Sequence, residues 1–384
     1  MANTLTTVIP QILAQGLKAL RENTIMPHLV NTGYETEAGE RGSTITIPVP
    51  AAVTTKAVSP SANPGTSADI TTSSVTITMD QWFEAPFTLS DKDQMQIMKG
   101  FFPLQAQEAV KSLANHVDQA LLSLYKDIYG KYGTPGVTPF ASSTTDSNQV
   151  RRILNTQLAP MGDRRMVLGP EAEANALDLR AFQDMSFSGN ARTIIEGDLT
   201  RKLGFNWFMD QNVRDHTVGV LGGTGVDTVC NGATAIASAT LAVTVGASNA
   251  MALVDGDIIT VAGDTQTYVV TADTAITHAG TGTIPISPTL KIATTGDEVI
   301  TLEGSGQTTY PVNLAFHRDC MAFASRPLKD LSVANPNIFS MIDPISGISL
   351  RLEVDRQNKQ DRWSFDILYG LAVVRPELGC RLHG

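Results

Sequence analysis

Cysteine is scarce in this chain. There are three, Cys230, Cys320 and Cys380, in 384 residues. An odd number at wide spacing does not make a disulfide framework, so all three read as reduced, buried thiols. Charge is also sparse at 17%, and aromatics make up 6%. The net charge of −10 gives no bulk attraction to nucleic acid. No apolar run reaches membrane-spanning length, and residues 1–30 lack the charged and apolar regions of a signal peptide. The six histidines have no metal-ligand spacing among themselves or with the cysteines. His317-Arg318-Asp319 lacks the glycine-rich loop and strand lysine of a kinase, and reads as a polar turn after a buried strand. Gly222-Gly223-Thr224-Gly225 lacks the Lys-Ser/Thr of a phosphate loop and reads as a hinge. Asp255-Gly256-Asp257 has no distal glutamate for calcium and reads as a tight turn. These absences argue against an enzyme and against a metal or other cofactor.

What is present begins with two alternating segments, 43–49 (STITIPV) and 74–79 (VTITM after Ser74). Each sets apolar residues on one face and threonines on the other, the period of a half-buried strand. Their connection carries Pro60, Pro64 and Gly65 among many Ser and Thr. A two-stranded ribbon is marginal alone, so this one is expected to lie against another subunit. Trp82 and Phe83 read as core. Before the ribbon, Ile9, Leu13, Leu17 and Leu20 suit a short helix, which Gly16 weakens and Asn23 and Pro27 end.

Ala106, Val110, Leu113, Val117, Leu121, Leu124 and Ile128 recur at helical steps. They predict one spine helix of roughly 40 Å at 1.5 Å per residue. Glu108, Lys111, Asp118 and Lys126 fall off its stripe, and Gly130 is placed to close it. Residues 150–218 alternate helix and strand: a helix over 150–158, a strand over 165–169, a helix opened by Pro170, and a β-prone run at 205–209 (FNWFM). Arg151-Arg152, Arg164-Arg165 and Arg201-Lys202 form small basic clusters suited to a solvated face or to salt bridges between subunits. Residues 219–310 then hold eight Asp/Glu and a single basic residue, Lys291, in short runs such as 241–245, 257–261 and 267–271. They predict a small β-barrel or sandwich. Beyond it, 312–316 is an apolar strand, 349–354 alternates, 357–358 turns, and 363–369 with 371–374 reads as a closing hairpin.

The order of these parts resembles the major capsid proteins of tailed bacteriophages with the HK97-like fold. It is most similar to coat proteins of short-tailed phages that carry an inserted β-domain. The stretches that carry the likeness are 196–205 (EGDLTRKLGF) leading to Gln211-Asn212-Val213, 315–324 (AFHRDCMAFA), and 367–376 (ILYGLAVVRP). The resemblance implies an α+β chain with an N-terminal arm at 1–33 and an HK97-like core at 34–218 and 311–384. Within the core it implies an E-loop at about 41–86, a spine helix at about 102–130, an axial domain from about 150, and an inserted barrel-like domain at 219–310. It implies a structural protein of the virion, assembled in the host cytoplasm into hexamers and pentamers of an icosahedral head. A separate scaffolding protein, a portal and packaged double-stranded DNA held by non-specific contact are its implied partners. A nanocompartment shell of the same fold is the alternative. Arg41, Lys56, Trp82, Phe83, Arg201 and Lys202 are the residues expected between subunits.

Overall fold

The structure is a computed structural model. It describes residues 13, 16, 24–34, 44–50, 55, 73–92, 101–184, 192–222, 228–246, 250–304, 306–328, 338–342 and 347–384, with the side chains of 101–104 and 192 left aside. Two compact units emerge. One comprises Met1–Asn23, Asn31–Leu113 and Met321–Val374; the other comprises Thr24–Val30, Ala114–Cys320 and Arg375–Gly384.

In the first unit the strands Thr44–Val49 and Ser73–Thr78 pair antiparallel, Thr44 against Thr78. The alternation places Ile45, Ile47, Ile77 and Met79 on one buried face, packed on Ala322 and Ala324 with Tyr34, Ala372 and Val374 beside them. One face of the ribbon's base therefore finds cover in its own unit, while the threonine face stays exposed. Its connection lies outside the described residues apart from Thr55, as do Arg41 and Lys56.

A further strand, Gln81–Ser90, follows at once; the sequence reading missed it. It pairs along Gln360–Val373, Gln81 opposite Tyr369. Gln360–Val373 is one strand of 14 residues rather than two. Its hairpin partner is Ser349–Gln357, through a turn in which Asn358 and Lys359 both have positive φ (51° and 61°). Gly370 reads as a break but is a packing site: a Cβ there would sit 2.5 Å from the carbonyl oxygen of Thr78. On the apolar face, Gly16 lets a helical turn approach Val110, Leu350 and Phe365; a Cβ would lie 3.2 Å from the Val110 Cγ2. The glycine that weakens this helix is what allows its contact.

The spine helix spans Phe101–Leu122, about 33 Å at 1.5 Å per residue, and the boundary between the units falls within it. It tightens into a 3-10 turn at Ser123–Asp127, and Ile128 is extended. Ser123 Oγ donates to the Ala120 carbonyl at 2.6 Å, and such local bonds disturb a helix. Gly130 does not cap it. Its side-chain position is filled instead by the Gly379 carbonyl, 2.7 Å from where a Cβ would be.

The second unit holds a mixed seven-stranded sheet. Its order is Lys131–Tyr132, Gly379–His383, Thr309–His317, Arg164–Leu168, Phe205–Met209 and Arg201–Lys202, with Asp215–Thr217 also on Thr309–His317. The strands at 205–209 and 309–317 follow the apolar runs read from sequence, and Pro170 opens its helix as expected. Between Thr228 and Leu302 six antiparallel strands run in the order 300–302, 258–261, 267–270, 281–287, 240–245 and 228–230. A bridge between Val229 and Val299 brings the last beside the first and closes a barrel. Its interior is Leu241, Val243, Ile259, Tyr268, Ile284 and Ile300. Tyr268 can be inside because its hydroxyl donates to Asp264 and accepts from the Lys291 N–H at 2.9 Å.

Candidate assembly surface

The pleat decides what the first unit shows to solvent. Along Gln81–Ser90, Phe83, Ala85 and Phe87 stand opposite Ile367, Phe365 and Trp363. Trp82, Glu84 and Thr88 stand on the other face, in register with Leu368, Asp366 and Arg362. Trp82 is 60% exposed and Phe83 39%, which corrects their reading as core. Trp82 Nε1 donates to Asp366 Oδ2 at 2.9 Å, and the Arg351 guanidinium lies 5.9 Å from the indole centroid. Arg351 also holds Asp366 through two nitrogens. Beside them Glu84 accepts from Arg362 at 2.7 Å and from Ser364 Oγ at 2.8 Å. The result is a face of alternating charge around one exposed indole. The sequence offered a signal for it: Arg351, Glu353 and Asp355 alternate with Leu350, Leu352 and Val354.

Among the described residues, Gln81–Ser90 has its strand partner, Gln360–Val373, along one side and stands at an edge of the sheet. The far strand, Ile338–Ile342, is also an edge, with Met341 and Ile342 exposed. Open edges template pairing with another chain, and Glu84 and Pro86 limit where that happens.

In the second unit Arg201 is exposed, as a subunit contact requires. Lys202 is not available in the same way. Its Nζ donates to the Phe182 carbonyl at 3.0 Å and Thr193 Oγ1 at 2.7 Å, and sits 5.1 Å from the Phe182 ring centroid. Burial lowers its pKa.

The acidity of 219–310 is largely absorbed locally. Asp255 pairs with Lys126 at 3.2 Å and Glu303 pairs with Lys131. Glu298 caps Thr295 and Gly296, backbone bonds that hold its carboxyl down at about 2. Asp257 is buried and accepts from the N–H groups of Gly219 and Val254 and lies 2.9 Å from His216 Nε2. His216 Nδ1 lies 3.0 Å from the Tyr125 hydroxyl. Arg381, fully buried, donates to the Gly256 carbonyl at 2.6 Å and the Lys126 carbonyl at 2.9 Å, 5.2 Å from the Tyr125 ring centroid. Burial lowers its pKa to about 10, still well above neutrality. These bonds tie the 254–257 turn of the barrel to the sheet. Sequence reading saw that turn but not its partners, which are far away in the chain.

The Tyr125–His216–Asp257 line lies at buried positions, and Tyr125 and His216 line a cavity of about 820 Å³ together with Lys126 and Asp255. All three thiols are buried, and burial raises Cys230 to about 11 and Cys380 to about 12. Among the described residues no three His, Cys, Asp or Glu are grouped to hold a metal ion.

No family model matches the chain, and no curated protein matches it. Solved structures do. A chain from Mycobacterium phage Che8 superposes with a TM-score of 0.54 at 16% identity, over 94% of this chain and 90% of that one. A chain from the capsid of the cyanophage P-SCSP1u superposes with a TM-score of 0.51 at 13% identity, over 94% and 88%. The chain shares the fold of these phage proteins across nearly its whole length.

Proposed function

We propose that this chain is a major capsid protein of HK97-like fold that builds the icosahedral head of a tailed phage around double-stranded DNA. The observation that carries the reading is the near-complete superposition on a phage capsid chain, joined to a two-stranded ribbon and a sheet-edge strand in and beside the expected E-loop. In this reading 41–86 is the E-loop, Phe101–Leu122 the spine helix, the seven-stranded sheet the axial domain, and 219–310 an inserted domain. Arg41, Lys56, Trp82, Phe83 and Arg201 are its contacts with neighbouring subunits, while Lys202 acts within its own fold. A separate scaffold and a portal would complete the assembly.

A closed shell repeats one surface on every subunit, so weak contacts add around closed rings. Each need supply only a few kcal/mol, roughly millimolar alone. The test is to replace 52–72 with a short Gly/Ser turn. The apolar base at Ile45, Ile47 and Ile77 is kept, so the subunit stays folded by circular dichroism while sedimentation loses the particle peak. Normal assembly of this variant would remove the E-loop from the model. Nuclease-protected DNA in wild-type particles separates a phage head from a nanocompartment shell.

A further inference from the structure

We infer that the cleft beside Tyr125 is a docking site for an extended peptide segment of another protein, which adds as a strand to the free edge of Asp215–Thr217. This strand pairs with Thr309–His317 along one side, His216 opposite Tyr310. The pairing continues past both ends. The Val312 N–H donates to the Arg214 carbonyl at 2.9 Å, and the Val218 N–H donates to the Thr308 carbonyl at 3.0 Å. In an antiparallel ladder only alternate residues turn their main-chain groups toward the partner. Here those are Arg214, His216 and Val218. Asp215 and Thr217 therefore turn their N–H and carbonyl groups the other way, and among the described residues no main-chain hydrogen bond meets them.

Those groups open onto the cavity of about 820 Å³. Every residue from Gln211 to Val220 lines it, whichever way its side chain points. His216 and Val218 are buried while Asp215 and Thr217 are exposed, so the strand shows the cleft its edge and not a face. One wall is the end of the spine helix with its 3-10 turn, from Gln119 to Lys126; the other is the barrel, at Ala252, Val254 and Asp255. The chemistry of this cleft selects its occupant. Alternating donors and acceptors along an extended edge are matched by another main chain in the same conformation. The lining adds the carboxamides of Gln119, Gln211, Asn212 and Gln307, each with the donor and acceptor of a peptide group. Lys126 and Arg214 are balanced by Asp215 and Asp255, so the cleft favours a segment without net charge. A slim single strand reaches an edge set between two walls, and the edge of a folded sheet does not. The same edge of a second copy is excluded, because it lies between walls of its own. The run from Val213 to Thr217 measures roughly 17 Å at 3.4 Å per residue, which takes about five residues of an extended segment.

The experiment uses dissociated full-length subunits, so its outcome is independent of shell formation. The probe is a neutral pentapeptide of alternating threonine and valine, acetylated and amidated, titrated to about 5 mM into isotope-labelled protein. Saturable amide shifts are expected at 213–217 and along the two walls, with a Kd of about a millimolar. The same peptide N-methylated at every residue keeps its side chains and loses its donors, and should bind at least about tenfold more weakly. Thr217→Pro removes an N–H that points into the cleft and none from the ladder, and should weaken the unmodified peptide about tenfold with circular dichroism unchanged. Asp215→Ala changes only a side chain and should leave the Kd within about twofold. No saturable shift at the edge, equal binding of the N-methylated peptide, or full binding by a folded Thr217→Pro overturns the site. If the proline variant does not fold, the two peptides on the wild type still decide. Sedimentation of both proteins is read in parallel: loss of self-association in Thr217→Pro alone would make the occupant a segment of a second copy, which also overturns the inference.

Discussion

Asp118 makes the sharpest test of how this fold is held. It sits on the spine helix, fully buried, and accepts from the N–H of Ile25 and of Met26, each at 3.1 Å. The expectation that it falls off the buried stripe is wrong because the 3-10 turn at Met26–His28 comes to it for an acceptor. Burial first, and then the nearby Asp210 carboxylate, push its pKa up from 3.8 to about 7, against the pull of the two N–H bonds. Asp210 Oδ2 is itself buried without a hydrogen-bond partner among the described residues. In the folded state the proton is therefore held more tightly than in the unfolded chain. Stability contributed by this group is full below about pH 4, falls as pH rises, and has gone by about pH 7. A shift of about three units corresponds to about 4 kcal/mol, an order-of-magnitude figure. Asp118→Asn keeps a carbonyl oxygen for the N–H groups and cannot ionise. It should be more stable than wild type at pH 8, by about 4 kcal/mol less about 1 for a weakened bond, and close to wild type at pH 5. Urea unfolding of dissociated subunits across this range gives the curves, and amide exchange at Ile25 and Met26 localises the effect. A variant destabilised equally at both pH values would refute the reasoning, since Asp118 would then act as an ordinary ionised cap.

Two further substitutions test packing. Gly370→Ala should cost about 1–3 kcal/mol, because the new methyl meets the Thr78 backbone first, which cannot turn away, and the buried Ile77 Cγ2 next; thermal unfolding reads it, and a neutral result would mean the ribbon is not seated on this strand. Arg381→Met should cost at least about 3 kcal/mol by leaving the Gly256 and Lys126 carbonyls unpaired in the interior, with faster amide exchange at the 254–257 turn, and Arg381→Lys should not rescue it because one ammonium cannot reach in both directions. Unchanged exchange at that turn would show that the barrel is held by other contacts.

Local chemistry was enough for every element with a strong period. Ile45, Ile47 and Ile77 alternate with threonines, and alternation has only one regular backbone that buries a single face. The short runs between glycines at 240–245, 258–261 and 267–270 became barrel strands for the same reason. Phe205–Met209 needed only its β-prone side chains. What failed was each judgement about a residue whose role depends on a partner distant in sequence. Trp82 and Phe83 are adjacent apolar residues, and nothing in that pair says that the pleat sets them on opposite faces, Trp82 among charges, and leaves both exposed. Asp118 and Arg381 are charged, so composition places them outside; only the approach of Ile25, Met26, Gly256 and Lys126 makes the interior tolerable for them. Gly370 looks like a turn until a second strand crosses it. The sequence by itself determined the periodicities, and with them the ribbon strands, the course of the spine and the short strands of the barrel. The tertiary structure alone decided which charges go inside, which aromatics stay out and where a missing Cβ is required. Periodicity is a property of neighbours along the chain, whereas the cost of burying a charge or a methyl group depends on atoms that only folding brings near.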